Sequence, residues 1–299
     1  MYYRRKIILV LLQMFDGSLA RMEFQKYLFL LTTLQDKAAF DFVPYKYGCF
    51  SFQSYEDIVI MAKQGILQEN DRDSNTIRIN SSKKDSVDYI SVLKSYDKYA
   101  LYSLKERFGK FSKNDLIKYV YKTYPFYAIN SKIVNEHLTE SEIEAVVRSR
   151  PISNSTCVFT IGYEGKSIDY YLKQLIMNDI RLLCDIRSNP ISRKCGFSKN
   201  QLSKFVSNVK INYIHYPELG IDSSMRKSHT TQNDYNALFR TYSESILPSH
   251  TRTLNDIYCH TIKYKRVALT CFENDYQLCH RKIVAKELIN RYELNIVNL

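Results

Sequence analysis

The chain of 299 residues is 45% hydrophobic and 25% charged, a composition typical of a globular protein long enough for two domains. It lacks the roughly 18 consecutive apolar residues of a membrane span, and its seven cysteines are odd in number and scattered, so we expect a cytoplasmic protein with reduced thiols. The net charge of +12 favours a polyanionic partner, because Lys and Arg neutralise phosphates.

The first 82 residues read as three helices followed by a hairpin. Apolar residues at helical spacing predict helices over residues 3–15 and 20–34. A third helix is expected over "SYEDIVIMAKQG", with Ser54 as its N-cap and Gly65 as its C-cap. Two strand-like runs then flank the turn-rich "NDRDSN". This order is typical of a winged helix, so residues 1–82 are predicted to form a mainly α, winged-helix-like domain.

A winged helix binds duplex nucleic acid through its helices and wing, and DNA is the expected partner here. The cations predicted to reach phosphates are Arg4, Arg5, Lys46, Arg72 and Arg78. Acidic residues in the wing leave a partner protein as an alternative, and a homo-oligomer is a further option. The Tyr-Gly spacing in "FVPYKYGCFS" resembles that of the antitoxin-like winged-helix group that includes the Panacea and SocA-like domains, over about residues 3–80.

The middle of the chain predicts further helices and then a domain boundary. Residues 86–123 read as two helices, and Pro125 stops the second. A charged helix is expected from Thr139 to Arg150, followed by the polar segment "RSRPISNSTC". Residues 83–150 are therefore interpreted as a helical extension or linker.

From residue 156 onward the sequence alternates between strand-like and helix-like runs. The expected strands are "TCVFTIGY", "IRLLCDIRS", "INYIHY" and "RVALTCF". The intervening helices are expected to begin near Ser167, Ser198, Asn233 and Cys279. This alternation predicts an α/β domain over residues 151–299, with a mostly parallel sheet and flanking helices.

Each predicted strand ends in polar residues that suit a binding site, because ligands of open parallel sheets sit at the carboxyl ends of the strands. In chain order these residues are Tyr163 and Glu164; Asp185, Arg187, Ser188 and Asn189; His215 and Glu218; and Glu273, Cys279, His280 and Arg281. Charged groups gathered at one edge are solvated, paired with one another or bound to a ligand. We therefore predict that they line one polar pocket.

Six separated motifs of this half resemble, in order, those of the family catalogued as domain of unknown function 488. They are "TIGYEGKSIDYYLKQL", "CDIRSNPISRKCGFSKNQLSKF", "INYIHYPELG", "MRK", "DYNALFRTYSESIL" and "VALTCFENDYQLCHRKIVAKEL". The resemblance spans about residues 156–290, with Asp222 where many members have a proline. It implies an α/β domain with a polar pocket, and it supplies no established reaction.

The cysteines of the last motif admit three interpretations. Structural zinc sites usually pair cysteines two to four residues apart and need four ligands, so Cys184 or Cys195 would have to join Cys271, Cys279 and His280. A nucleophilic thiol would want a glycine-rich backbone cradle, which is missing after Cys279. Buried packing is the commonest role of Cys. We therefore predict no metal or cofactor, and a packing role for Cys271 and Cys279.

The remaining residues suggest acid–base chemistry beside a bound anion. Arg281 and Arg187, with the amides that begin the last helix, are predicted to hold a phosphate. Glu273, Asp185 and Glu164 are the candidate general acids or bases. The sequence thus favours an enzyme that hydrolyses or modifies a phosphorylated nucleotide or base, as in DNA modification or defence. The alternative is a nucleotide-sensing, DNA-binding regulator without catalysis.

Overall fold

The computed structural model describes residues 1–69, 75–80, 88–222, 225 and 232–299. The chain divides into two compact units, Met1–Arg150 and Pro151–Leu299. In the part of the chain so described, no helix combines the length and the apolar character needed to cross a membrane.

The N-terminal unit is mainly helical and contains two small antiparallel sheets. Its helices are α1 Tyr3–Met14, α2 Arg21–Leu34, α3 Phe52–Lys63, α4 Ser95–Phe108, α5 Lys113–Thr123, α6 Val134–His137 and α7 Glu140–Arg148. Its strands are β1 Ser18–Ala20, β2 Val43–Tyr45, β3 Gly48–Phe50, β4 Leu67–Glu69 and β5 Thr76–Ile79. One sheet has the order β1-β5-β4, and the other is the β2-β3 hairpin. Helices α4 and α5 pack against α2, so the segment after residue 82 belongs to this unit.

Three details of this unit differ from the sequence-based expectation. The N-cap of α3 is Ser51, whose side chain accepts a hydrogen bond from the Ser54 backbone N–H. Helix α4 begins only at Ser95, because Asp88 accepts hydrogen bonds from the backbone N–H groups of residues 90 and 91 and holds a turn. The strands β1, β2 and β3 are too short to show an alternating apolar pattern in the sequence.

The C-terminal unit is an α/β domain, as predicted. Its strands are β6 Cys157–Gly162, β7 Leu182–Asp185, β8 Asn212–His215, β9 Arg266–Cys271 and β10 Ile296–Asn298. All five are parallel, in the order β10-β6-β9-β7-β8. Its helices are α8 Ile168–Met177, α9 Lys199–Asn208, α10 Gln232–Thr241, α11 Thr251–Tyr264 and α12 Arg281–Tyr292. The sequence-based reading missed α11 and β10.

The register of the sheet places the strand ends side by side. Gly162 at the end of β6 pairs with Cys271 at the end of β9, and Asp185 at the end of β7 pairs with both Thr270 and His215. The strands are buried over their whole length in β6, β7 and β9 because helices cover the sheet. Residues that follow these strands therefore emerge at one common edge.

Candidate functional site

A cleft of about 330 Å³ opens at this common edge of the C-terminal sheet. Its lining includes Tyr163 after β6, Arg187, Ser188 and Asn189 after β7, and Cys271 with His280 around β9 and α12. Apolar side chains add to it: Phe272 is 43% exposed and Ile191 is 79% exposed. The volume lies at the lower end of the range for small-molecule sites, which suits a ligand of about mononucleotide size. The sequence-based prediction of a pocket at the strand ends agrees with this placement.

Asp185 and Arg187 form a buried, bidentate ion pair beneath the cleft. The Asp185 carboxylate accepts hydrogen bonds from Arg187 Nε at 2.8 Å and Nη2 at 2.5 Å, and from the Tyr213 hydroxyl at 2.6 Å. Arg187 Nη1 donates to the Tyr163 hydroxyl at 2.9 Å and to the Phe197 carbonyl at 2.8 Å. Although burial alone lowers the pKa of Arg187, its hydrogen bonds to Asp185 raise it overall. This pair is a fixed support for the cleft wall.

The geometry therefore revises two predicted roles. Asp185 is fully buried and already holds a guanidinium, so it is not a base within reach of solvent. Arg187 is 5% exposed and its nitrogens donate to protein acceptors, so it is poorly suited to bind a phosphate. What Arg187 does contribute is the position of Tyr163, whose ring stacks on Phe197 with centroids 4.3 Å apart. The pair shapes the site without touching a reacting atom.

Arg281 anchors the loop that follows β9 instead of binding an anion. Its Nη1 donates to the Glu273 carbonyl and its Nη2 donates to the Asn274 carbonyl at 3.0 Å, while the side chain is only 1% exposed. Gly162 is required for this arrangement, because a Cβ there would stand 1.8 Å from the Glu273 carbonyl oxygen and 2.9 Å from Arg281 Nη1. The group that lies closest to Gly162 is thus the loop that carries Glu273.

Two thiols, an imidazole and a carboxylate come together beside the cleft, and two of these residues, Cys271 and His280, line it. His280 Nδ1 lies 3.8 Å from Cys271 Sγ and 4.0 Å from Cys279 Sγ. Cys271 Sγ lies 3.1 Å from a carboxylate oxygen of Glu273. Burial, together with the Cys271 thiol, raises the pKa of Cys279 well above its usual value. Glu273 is half-buried and is the one predicted acid that reaches this cluster.

Seven of the residues predicted to line the pocket do not line it: Asp185, Glu273 and Arg281, described above, and Glu164, His215, Glu218 and Cys279. Glu164 is exposed and accepts a hydrogen bond from the Asn274 backbone N–H, which makes it a loop cap. His215 Nε2 lies 2.8 Å from the Arg187 carbonyl oxygen, and Glu218 accepts from the Thr253 hydroxyl at 2.8 Å. Cys279 is fully buried and does not line the cleft. The sequence places the last four near the edge, but Glu164, His215 and Glu218 bond to neighbouring segments and Cys279 faces His280.

A group of cations from two loops lies at this edge of the sheet, and the sequence analysis did not single it out. Arg193 is exposed and lines the cleft. Lys194 donates to the Tyr163 carbonyl at 2.8 Å, and burial lowers its pKa. The pKa of Lys166 is lowered by burial and by the positive charges of Arg281 and Lys194. This concentration of positive charge favours an anionic ligand, and Arg193 is the guanidinium placed to meet it.

The cations proposed to bind nucleic acid in the N-terminal unit separate into two groups. Arg4 and Arg5 both pair with the buried Asp57 carboxylate, at 2.5 Å and 2.7 Å, and so attach α1 to α3. Arg5 is 8% exposed, which removes it from the phosphate-binding set. Lys46 and Arg78 are exposed. Arg72 lies outside the described residues, together with Asp71 and Asp73 of the predicted wing.

The C-terminal unit matches the model of a known protein family. The family model described as "Domain of unknown function DUF488" matches residues 167–288, from the start of α8 into α12. The C-terminal unit therefore carries a domain of the family that its motifs resemble. No curated protein matches the chain.

Proposed function

We propose that the C-terminal unit is an enzyme that hydrolyses a phosphorylated nucleotide or a related base-bearing phosphate. The observation that carries this proposal is the contact of the Glu273 carboxylate with Cys271, whose side chain lines a cleft that also has Arg193 in its lining. The cleft offers an exposed aromatic face at Phe272 for a flat ring and an exposed guanidinium at Arg193 for a phosphate. These are the two features that a nucleotide needs from its binding site.

The chemistry follows from the acid next to the cleft, Glu273, which contacts the cleft-lining Cys271. A carboxylate beside a bound phosphate can take a proton from water while the water oxygen forms the new bond to phosphorus or to the glycosidic carbon. The leaving group departs with the electron pair of the broken bond. Glu273 is the residue assigned to this proton transfer, with the Arg281 clamp on its backbone carbonyl holding the loop in place.

We expect Arg193→Ala to weaken ligand binding about tenfold or more, because a charge-assisted contact to phosphate contributes about 1.5–3 kcal/mol. Arg252→Ala is the matched control, since Arg252 is an exposed arginine at the start of α11 in the same unit. Calorimetric titration with a panel of nucleoside phosphates provides the measurement. Equal affinity of both variants and the wild type for every bound compound would exclude Arg193 from the site.

For the N-terminal unit we propose nucleic-acid binding through a winged-helix-like arrangement. The elements follow the order helix, strand, helix, hairpin, helix and a final pair of strands, which supports this proposal. Strands β4 and β5, which flank the segment expected to form the wing, lie in one sheet of order β1-β5-β4. Exposed Lys46 and Arg78 remain available for phosphates.

Binding of this unit to duplex DNA should fall steeply with salt, because each neutralised phosphate releases counterions. We expect the double variant Lys46→Ala with Arg78→Ala to bind duplex DNA more weakly. The slope of log K against log salt should become shallower by about 2, because two phosphate contacts are lost. Fluorescence anisotropy at several salt concentrations measures both quantities. Failure to bind duplex at about 50 mM salt would contradict nucleic-acid binding and favour a protein as the partner of this unit.

A further inference from the structure

We propose that Cys271, Cys279 and His280 form a three-ligand zinc site whose fourth position opens into the cleft beside Glu273. This departs from the sequence-based expectation that the two cysteines only fill space. Among the described residues, these three bring their ligand atoms within 4.8 Å of one another, and all three are buried. Neither Cys184 nor Cys195 belongs to the group, so the two completions considered from the sequence are not the ones the fold provides.

The separations lie slightly beyond those of a tetrahedral zinc site. With zinc–sulfur bonds of about 2.3 Å and zinc–nitrogen bonds of about 2.0 Å, a sulfur and a nitrogen ligand lie about 3.5 Å apart and two sulfur ligands about 3.8 Å apart. The two sulfur–Nδ1 distances are 3.8 Å and 4.0 Å, and all three ligand atoms lie within 4.8 Å of one another. Side-chain rotation that shortens these separations, by up to about 1 Å between the two sulfurs, would bring the three ligands to bonding geometry.

The imidazole of His280 is held in the orientation that a metal ligand needs. Its Nε2 lies 3.1 Å from the Ile186 carbonyl oxygen, which can only accept, so Nε2 carries the proton. In the neutral ring, Nδ1 then presents its lone pair toward the two sulfurs. Metal-bound histidines generally donate their second N–H to a carbonyl or carboxylate in this way, which fixes the tautomer and the ring plane.

A bound metal would also account for the close approach of two buried thiols. Both sulfurs are buried, and burial disfavours a thiolate that has no cation beside it. A bound cation reverses this balance, because zinc takes thiolates as ligands and releases their protons. Thiols without a metal in this setting would be weak nucleophiles.

The open side of the cluster determines its role. Cys271 and His280 line the cleft, whereas Cys279 lies behind them, so a fourth ligand would approach from the cleft. Three protein ligands with one open position are typical of catalytic rather than structural zinc. Water bound there would have its pKa lowered to about 7, and Glu273, 3.1 Å from Cys271 Sγ, is placed to take its proton. The inference deepens the proposed hydrolysis by supplying an activated water.

Cobalt substitution tests this inference without relying on turnover. We expect the reduced, metal-free chain to bind about one Co²⁺, with sulfur-to-metal charge-transfer absorption and the intense visible bands of a tetrahedral centre, and zinc to displace it. Cys279→Ser and His280→Gln should each lose these bands, while far-ultraviolet circular dichroism reports whether they fold. X-ray absorption of the zinc-loaded wild type should show two sulfur and one nitrogen neighbours, which does not depend on any variant.

Three further variants sharpen the result. Cys195→Ser and Cys259→Ser remove thiols outside the cluster and should keep the cobalt spectrum unchanged. Glu273→Gln should also keep it, because Glu273 is assigned as the base and not as a ligand. The inference is overturned if the wild-type chain shows no thiolate–cobalt absorption, or if the reduced chain takes up no metal and air oxidation simply joins Cys271 to Cys279. A metal-free chain that still hydrolyses nucleotides would overturn the role of zinc in activating water and leave the proposed function standing.

Discussion

Glu273→Gln should lower the rate of turnover by about 100-fold or more while leaving ligand affinity nearly unchanged. The amide has almost the shape of the carboxylate but cannot accept a proton from water, so only the chemical step is affected. The main-chain carbonyl of residue 273, which Arg281 holds, is the same in both proteins. Calorimetry and a turnover assay on one preparation separate binding from chemistry.

Glu164→Gln is the matched control for this substitution. Glu164 is also a carboxylate at the same sheet edge, but it is exposed and its side chain caps the Asn274 backbone N–H. We expect it to keep most of the activity of the wild type. If instead Glu273→Gln lost affinity and turnover in equal measure, Glu273 would serve only to position the loop. A ligand-sensing regulator would then be the better description of this unit.

Removing Asp185 should destabilise the C-terminal unit by about 3–5 kcal/mol, because it leaves a buried guanidinium without its counter-charge. Arg187 is 5% exposed and Asp185 is fully buried, so water cannot replace the lost carboxylate. The Tyr213 hydroxyl would lose its acceptor as well. Hydrogen exchange of amides in β6, β7 and β9, measured on Asp185→Ala, reports the local free energy of opening in a two-unit chain.

Two comparisons make this prediction specific to the buried pair. Glu287→Ala removes the partner of Arg291 in a pair where both side chains are about one-third exposed, and it should cost no more than about 0.5 kcal/mol. Replacing both members, Asp185→Ala with Arg187→Met, should recover part of the loss, since no unpaired charge stays buried. A cost below about 1 kcal/mol for Asp185→Ala alone would show that the pair does not support the cleft wall.

The sheet and the location of the site could be predicted from the sequence for a simple reason. A continuous apolar run such as "RVALTCF" is typical of a parallel strand that is buried on both faces. The residues that follow parallel strands lie at one edge of the sheet. Tyr163, Arg187, Ser188, Asn189 and His280 accordingly line the cleft. The short strand β10 carries no such run, because its residues Ile296–Asn298 are only partly covered.

Side-chain direction at the strand ends could not be predicted in the same way. Asp185 and Arg187 are two residues apart and turn toward each other, and Arg281 turns back to the loop after β9. Both arginines look like phosphate ligands in the sequence, but in the fold they satisfy buried oxygens that the sheet edge creates. Arg193, from an irregular loop without periodicity, is left to face the cleft.

The thiol–imidazole cluster illustrates a second limit of spacing rules. Cys271 and Cys279 are separated by more residues than the usual zinc motifs allow. The connection between β9 and α12 folds back on itself, however, through a short helical turn at Tyr276–Leu278, and this brings both sulfurs to His280. The spacing of the cysteines in the sequence does not reveal this cluster, because the path of the loop determines the distances between the two sulfurs and His280.

A crystal structure of Glu273→Gln soaked with the tightest-binding nucleoside phosphate is the most direct test of the central claim. The account predicts a ligand in the cleft of the C-terminal unit, with its ring against Phe272, its phosphate on Arg193, and the scissile bond next to the amide at position 273. A ligand bound elsewhere on the chain would contradict the account, as would a cleft that stays empty at concentrations where calorimetry shows saturation.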